Sequence, residues 1–333
     1  MKKFLGAAVT ILLCAAILAA GLHLHAAFVP AWTNMENAES VSEILQNLKN
    51  FFLPVVKDAV QRHANAMAVK GEADTVLDLA LIGKGAKETG TVFPVNLYPY
   101  RGMLDEKGKA VYDRAYDNAA AVNGESFLIS GSLSEAELNN VMSALYNDHP
   151  ELFWLKTSFT YGYLEGAGAV SLRLDFNSCA EEIENCRDLF KAAAAKILQD
   201  AAFCETVFEK EKAIHNALLE RTEYDAEADC DQSAYSALVL GKSVCAGYAR
   251  AFQYLMQEAG IPCYYCEGMA EEGGHAWNIV LLPQGYTNVD PSWNDGDPIL
   301  YDWFNVPDSV LEADHVRTGL STGLPRCSAS VNE

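Results

Sequence analysis

Positive charge is scarce in this chain. Its 333 residues hold 24 Lys and Arg against 45 Asp and Glu, a net charge of −21. A surface of that sign repels phosphate backbones and anionic lipid, so nucleic acid is excluded as a partner held by bulk charge, as are polyanionic wall polymers. Internal repeats and low-complexity segments are missing, which sets repeat architectures aside. Metal motifs are lacking too. Cys263 and Cys266 form a CxxC, but no second CxxC or His-x-x-His completes a zinc set. Alternation along the strand that would hold them points the two thiols to opposite faces. Asp225, Asp229 and Asp231 lack the glycine and terminal glutamate of a calcium loop and read as a solvated acidic loop. The sequence predicts no metal and no cofactor.

One long apolar run is present, at the start. Lys2 and Lys3 precede an almost wholly apolar stretch from Phe4 to Leu22, and small residues follow at Ala26 and Ala27. Residues 1–27 therefore read as a signal peptide, with an uncleaved single-span anchor as the alternative. Leu12 and Leu13 ahead of Cys14 argue against lipidation. Either way the protein is expected outside the cytoplasm, secreted or tethered to the surface, with membrane contact only through this segment. Eight cysteines follow Cys14. If one must stay reduced for chemistry, the other seven cannot all pair, so buried thiols fit the census best and one or two disulfides stay open.

Hydrophobic residues make up 50% of the chain, ample for a substantial core and for two domains. Residues 28–96 read as a helical spacer and connector. Leu45, Leu48, Phe52, Val56, Ala59 and Val60 have helical spacing within Val41 to Ala68, and the glycines between Lys70 and Pro94 suggest a connector outside the packed core. Residues 97–178 read as an accessory α/β module. It has a helix over Leu104 to Ala121, a strand at Ser126 to Ser130, and a helix opened by the capping box Ser134 to Glu137 and ending near Asn147. A hairpin of Phe153 to Leu164 with Ala169 to Phe176 completes it. Residues 179–333 read as the catalytic domain, entered through helices over Ala180 to Ala201 and Glu205 to Arg221.

Three residues in that last part carry chemistry. Cys245, His275 and Asp290 come in that order within fewer than fifty residues. A thiol must lose its proton to become a strong nucleophile, and an imidazole is the usual acceptor. A carboxylate on the far ring nitrogen fixes the tautomer and stabilises the imidazolium. Ser243 reads as an N-cap, Ala249, Phe252, Leu255, Met256 and Ala259 have helical spacing, and Gly260 with Pro262 ends the helix. Cys245 then falls in the first turn, where unpaired N–H groups and the helix dipole favour a thiolate. Gly247 leaves room for a substrate backbone. Strands at 262–268, 276–282 and 286–290, with Pro283-Gln284-Gly285 as a turn, put His275 and Asp290 at the open end of a hairpin. Trp277 and Trp293 are candidate walls of an acyl pocket, and Tyr235 is a candidate oxyanion donor beside the Cys245 N–H. His149, His215 and His315 read as structural.

From about Tyr112 to Cys327 the chain resembles the transglutaminase-like superfamily, specifically its secreted bacterial branch. The residues that carry this are Val244-Cys245-Ala246-Gly247-Tyr248-Ala249, Gly274-His275-Ala276-Trp277-Asn278 and Asn288-Val289-Asp290-Pro291-Ser292-Trp293-Asn294-Asp295. Lys212-Ala213-Ile214-His215-Asn216 and Glu223-Tyr224-Asp225 upstream, and Tyr301-Asp302-Trp303-Phe304-Asn305 downstream, add to it. The resemblance implies an α+β, papain-like fold, with a helix carrying Cys245 packed on an antiparallel sheet carrying His275 and Asp290. It leaves the reaction open, because the superfamily holds peptidases, amidases and members without activity. The expected function is cysteine-dependent acyl transfer on peptide or amide bonds through a thioester, hydrolysis favoured over crosslinking. Its partner would be a peptide, protein or cell-wall peptide substrate. A non-catalytic cell-envelope binding module and a true amine-transferring transglutaminase are the alternatives.

Overall fold

Two antiparallel hairpins organise the chain, each made where alternating side chains meet a glycine turn. The computed structural model describes residues 68–74, 82–270 and 273–331. The chain divides into two compact units, Met1–His63 and Ala64–Glu333. The first lies outside the described residues, and with it the expected leader at 1–27 and most of the helix expected at Val41 to Ala68.

The first hairpin joins β3 (Leu155–Leu164) to β4 (Gly168–Phe176). Strand β2 (Phe127–Leu133) pairs antiparallel with β4, and β1 (Lys70–Ala73) pairs parallel with β3, giving the order β1-β3-β4-β2. Phe159, Tyr161, Leu172 and Leu174 are buried between this sheet and the helices α2 (Glu106–Ala120) and α3 (Glu135–Asp148). The expected capping box is present: Ser134 Oγ accepts from the Glu137 N–H, and the Glu137 carboxylate accepts from the Ser134 N–H.

The second hairpin joins β8 (Gly273–Leu282) to β9 (Gly285–Val289). With β7 (Cys263–Ala270), β10 (Phe304–Val306) and β11 (His315–Arg317) it forms an antiparallel sheet in the order β10-β9-β8-β7-β11. Helix α6 (Cys245–Glu258) packs on β7 and β8 and buries nearly all its residues. Ala246, Ala249 and Ala276 line the contact, and such small side chains bring the helix close to the sheet. Asn278 Nδ2 fixes the two layers by donating to Ala249 O at 2.9 Å. Helices α4 (Ile183–Ala201) and α5 (Val207–Leu219) complete the packing around α6.

The mixed α+β class is the one the sequence implied, but its division differs. The 97–178 and 179–333 parts share one hydrophobic core running from Tyr100 to Val331. Arg250 of α6 is 1% exposed, and its guanidinium donates to Tyr146 O and His149 O at the end of α3. Tyr100 Oη donates to Tyr265 O at 2.6 Å. The helix expected over Leu104 to Ala121 is α2, capped by the Asp105 carboxylate through the Gly108 N–H, and a separate short helix, α1 (Pro99–Met103), precedes it. Parts of the expected connector are also packed, although residues 87–92 are exposed. Residues 70–73 form β1, and Phe93 stands edge-on to Tyr98, Tyr112, Tyr116 and His149, with centroids 5.0–5.5 Å away. Gly71 lies within β1 and Gly85, at φ 70°, sits against Asn118, Arg114 and Phe127, whereas Gly90 faces open space.

A chain starting at Leu97 loses β1 and Phe93 and should therefore unfold at a lower temperature than one starting at Ala64. Removing the aromatic ring alone is worth about 3 kcal/mol. Thermal melts of the two fragments by circular dichroism check this; equal midpoints would restore the connector reading.

Candidate active site

Cys245 stands where a loop is forced into a helix. Strand β5 (Glu223–Tyr224) runs parallel to β6 (Lys242–Ser243), with Tyr224 opposite Ser243. Ser243 Oγ donates to Asp231 O at 2.6 Å instead of capping the helix, and Val244 takes the N-cap position without a side-chain cap. Cys245 is thus the first residue of α6, a place where backbone N–H groups have no intrahelical acceptor. Gly247 is required by packing: a Cβ there would lie 1.9 Å from Ser243 Oγ and 2.7 Å from Asp231 O. Its bareness seats the helix on the preceding loop and does not make room for substrate.

The sheet brings the other two residues to the thiol. His275, near the start of β8, is in side-chain hydrogen-bond contact with Cys245. Its Nε2 lies 2.6 Å from Asp290 Oδ2, so Nδ1 is the nitrogen left for the thiol. Asp290 follows β9 and is fully buried. Burial pushes the His275 ring towards its neutral form, but the charges of Asp290 and Cys245 outweigh it and hold the pKa up at about 10. Burial also opposes charge on Asp290, and the two histidines around it nonetheless keep its carboxyl below the usual range. The arrangement favours a thiolate–imidazolium pair at neutral pH.

The second of those histidines was read from sequence as structural. His315 Nε2 lies 3.1 Å from the same Asp290 oxygen, and its Nδ1 lies 2.5 Å from Asp314 Oδ1. It is buried between Trp277 and Trp293, with centroids 5.1 and 4.5 Å away. His275, Asp290 and His315 form a group of three potential metal ligands whose donor atoms lie within 4.8 Å of one another. A metal held there would take Nε2 of His275 from Asp290, so the group is better suited to orienting the imidazole.

The remaining expectations divide. Trp293 is half-buried, 5.4 Å from the His275 ring, and can wall an entrance. Trp277 is wholly buried, stacked 6.2 Å from His275, and lines a cavity with His315 and Leu311. Tyr235 does not reach the nucleophile. It stacks on Phe153 at 5.1 Å and its hydroxyl contacts Cys186, because the turn Ser236–Leu240 lies between it and α6. The tyrosine at the site is Tyr224, half-exposed on β5, whose hydroxyl accepts from the Cys245 backbone N–H. His149 and His215 are structural as expected: His149 sits in the Phe93 aromatic cluster, and His215 accepts from Asn294 Nδ2 at 3.2 Å. Burial pushes His215 down to about 4, so it is neutral. Cys263 and Cys266 are buried, and desolvation raises both thiols well above their ordinary range, so neither is reactive.

Residues 193–291 match the core of the Transglutaminase-like superfamily. The chain thus carries a transglutaminase-like domain over these residues. A curated relative, the Kyphoscoliosis peptidase of Mus musculus, is 31% identical over 117 residues, which are 30% of this chain and 17% of that protein. The match thus spans about a sixth of the relative's length. Among solved structures, the periplasmic domain of TgpA from Pseudomonas aeruginosa is 20% identical, covering 38% of this chain and 55% of that one with a TM-score of 0.26. A structure described as a TGase is 16% identical, covering half of each chain with a TM-score of 0.29.

The pair predicts an unusual alkylation profile. His275 is charged below about pH 10, so it supports the Cys245 thiolate across neutrality. An ordinary thiol instead gains rate as pH rises through about 8.5. Iodoacetamide at pH 7 should label Cys245 ahead of the buried thiols Cys263, Cys266 and Cys327, with a flat rate towards pH 9. His275→Gln should slow it by about tenfold or more and restore the ordinary rise. Quantitative peptide mapping reads both; a Cys245 profile that follows the other thiols would remove the ion pair.

Proposed function

We propose that this protein is a cysteine-dependent hydrolase of peptide or amide bonds, with Cys245 as nucleophile, His275 as acid and base, and Asp290 orienting His275. The observation that carries this reading is the first-turn thiol in contact with an imidazole whose far nitrogen meets a buried carboxylate at 2.6 Å. Cys245 Sγ attacks the carbonyl carbon, and the oxyanion forms beside the Cys245 N–H at the helix start. The Tyr224 hydroxyl already occupies that N–H, so a substrate oxygen takes its acceptor place and the hydroxyl turns to donate to it. The tetrahedral adduct collapses to a thioester as His275 protonates the departing amine. Water, deprotonated by His275, then releases the acid.

Hydrolysis is favoured over amine transfer because water is in vast excess over any amine outside a cell. The extracytoplasmic placement rests on Lys2, Lys3 and the apolar run to Leu22. On that placement the substrate is a peptide, a protein or a cell-wall peptide.

A panel of peptide, glutamine-amide and peptidoglycan-stem substrates tests the reading. Cys245→Ala and His275→Ala should each abolish turnover, since the two act in one proton-coupled step. Asp290→Asn should cost roughly 10²–10⁴-fold in kcat. Tyr224→Phe should lower kcat by roughly 10-fold or more, while Tyr235→Phe should leave it unchanged. Wild-type rates in Cys245→Ala on an accepted substrate would end the proposal.

A further inference from the structure

Three thiols meet on the far side of the nucleophile's loop. Cys179 lies in the tight turn Ser178–Ala180, Cys186 in the first turn of α4, and Cys230 in the loop leading to β6. The first two are buried and Cys230 is half-buried. The Cys179 thiol interacts with both of the others, most strongly with Cys230, to which its neighbour Ser178 brings it close. Ser178 Oγ approaches Cys230 Sγ at 3.7 Å. Cys230 also holds a left-handed backbone, φ 55°, a conformation uncommon for a residue with a side chain. It lines a cavity of about 360 Å³ with Ser178, Asp229, Asp231 and Gln232, through which a small reagent can reach the sulfur.

We propose that Cys230 and Cys179 are a redox-active dithiol, a modification site that closes to a disulfide by exchange with an external disulfide such as oxidised glutathione. The contact from Cys179, helped by Ser178 against the cost of burial, brings Cys230 down to about 6, and Cys179 is raised in turn. Cys230 is therefore the attacking thiolate. Its sulfur displaces one thiolate from the external disulfide and forms a mixed disulfide. Cys179 then gives up its proton, attacks the Cys230 sulfur and expels the second thiol. Two protein thiols and one disulfide become one protein disulfide and two released thiols.

The bond would act on the nucleophile's support. Asp231, the next residue, accepts through its carbonyl from Ser243 Oγ at 2.6 Å and from the Val244 N–H at 3.3 Å, directly ahead of Cys245. Joining Cys230 to the Ser178–Ala180 turn fixes that carbonyl. This inference stands apart from the acyl-transfer reading, because none of its residues touches His275 or Asp290.

The test uses the full chain incubated with oxidised glutathione, blocked with iodoacetamide and mapped by mass spectrometry, which separates any adduct on Cys245. The expected map contains the Cys179 and Cys230 peptides joined, lighter by two hydrogens than their sum. The oxidised protein should melt higher by on the order of 5 °C. Cys230→Ser should lack the joined pair, and Cys204→Ser should keep it. If Cys230→Ser does not fold, Cys179→Ser serves instead, leaving a persistent glutathione adduct on Cys230. A stable adduct on Cys230 in the unaltered protein, both thiols alkylated, or Cys230 joined to a different cysteine would each overturn the proposal.

Discussion

Asp290 is a carboxylate kept charged where no water reaches it. Burial of that degree ordinarily protonates an acid, and an unpaired charge there would cost several kcal/mol. Four donors prevent this. Oδ2 faces Nε2 of both His275 and His315, while Oδ1 accepts from Ser292 Oγ at 2.8 Å and from the Trp293 N–H at 3.1 Å. The end of β9, the start of β8, strand β11 and the turn carrying Trp293 thereby share one acceptor. His215 on α5 supports the same turn through Asn294, whose side-chain oxygen in turn accepts from the Trp303 N–H. The orientation of the imidazole is a property of this whole cluster.

The thiol of Cys245 comes from the other layer. Cys245 depends on the closeness of α6 to β7 and β8, which the small residues at their contact permit, and on the loop that delivers the chain to the helix start. The tight seat of Gly247 under Ser243 and Asp231 leaves that entry little freedom. Helix and sheet each place half of the chemistry.

Much of this was legible because it is local. Alternation and turn residues gave both hairpins, the Ser134 to Glu137 spacing gave a helix start, and Cys245, His275 and Asp290 announced themselves by residue type on recognisable elements. What was missed depends on contacts distant in sequence. Tyr224 reaches Cys245 through a parallel ladder of two residues, too short to leave a periodic trace. His315 arrives on a three-residue strand paired to β7, twenty-five residues after Asp290. Tyr235 misled for the converse reason: it is near the nucleophile in sequence, but an intervening helical turn directs it to Phe153. Glycines between Lys70 and Pro94 looked like slack because the sequence alone does not show that Phe93 has an aromatic socket to fill.

The Arg250 cation sets how this protein can be rearranged. The recognisable family segment starts at residue 193, yet a positive charge inside it is satisfied by the carbonyls of Tyr146 and His149, well outside it. Cut loose, the segment would lose both acceptors, and any scaffold that buried the guanidinium again without replacing them would leave it desolvated and unpaired. Natural recombination or deliberate grafting that moved residues 193–291 into another scaffold would have to bring α3 along or replace the arginine. The heritable unit of this fold is therefore larger than the part that sequence similarity detects.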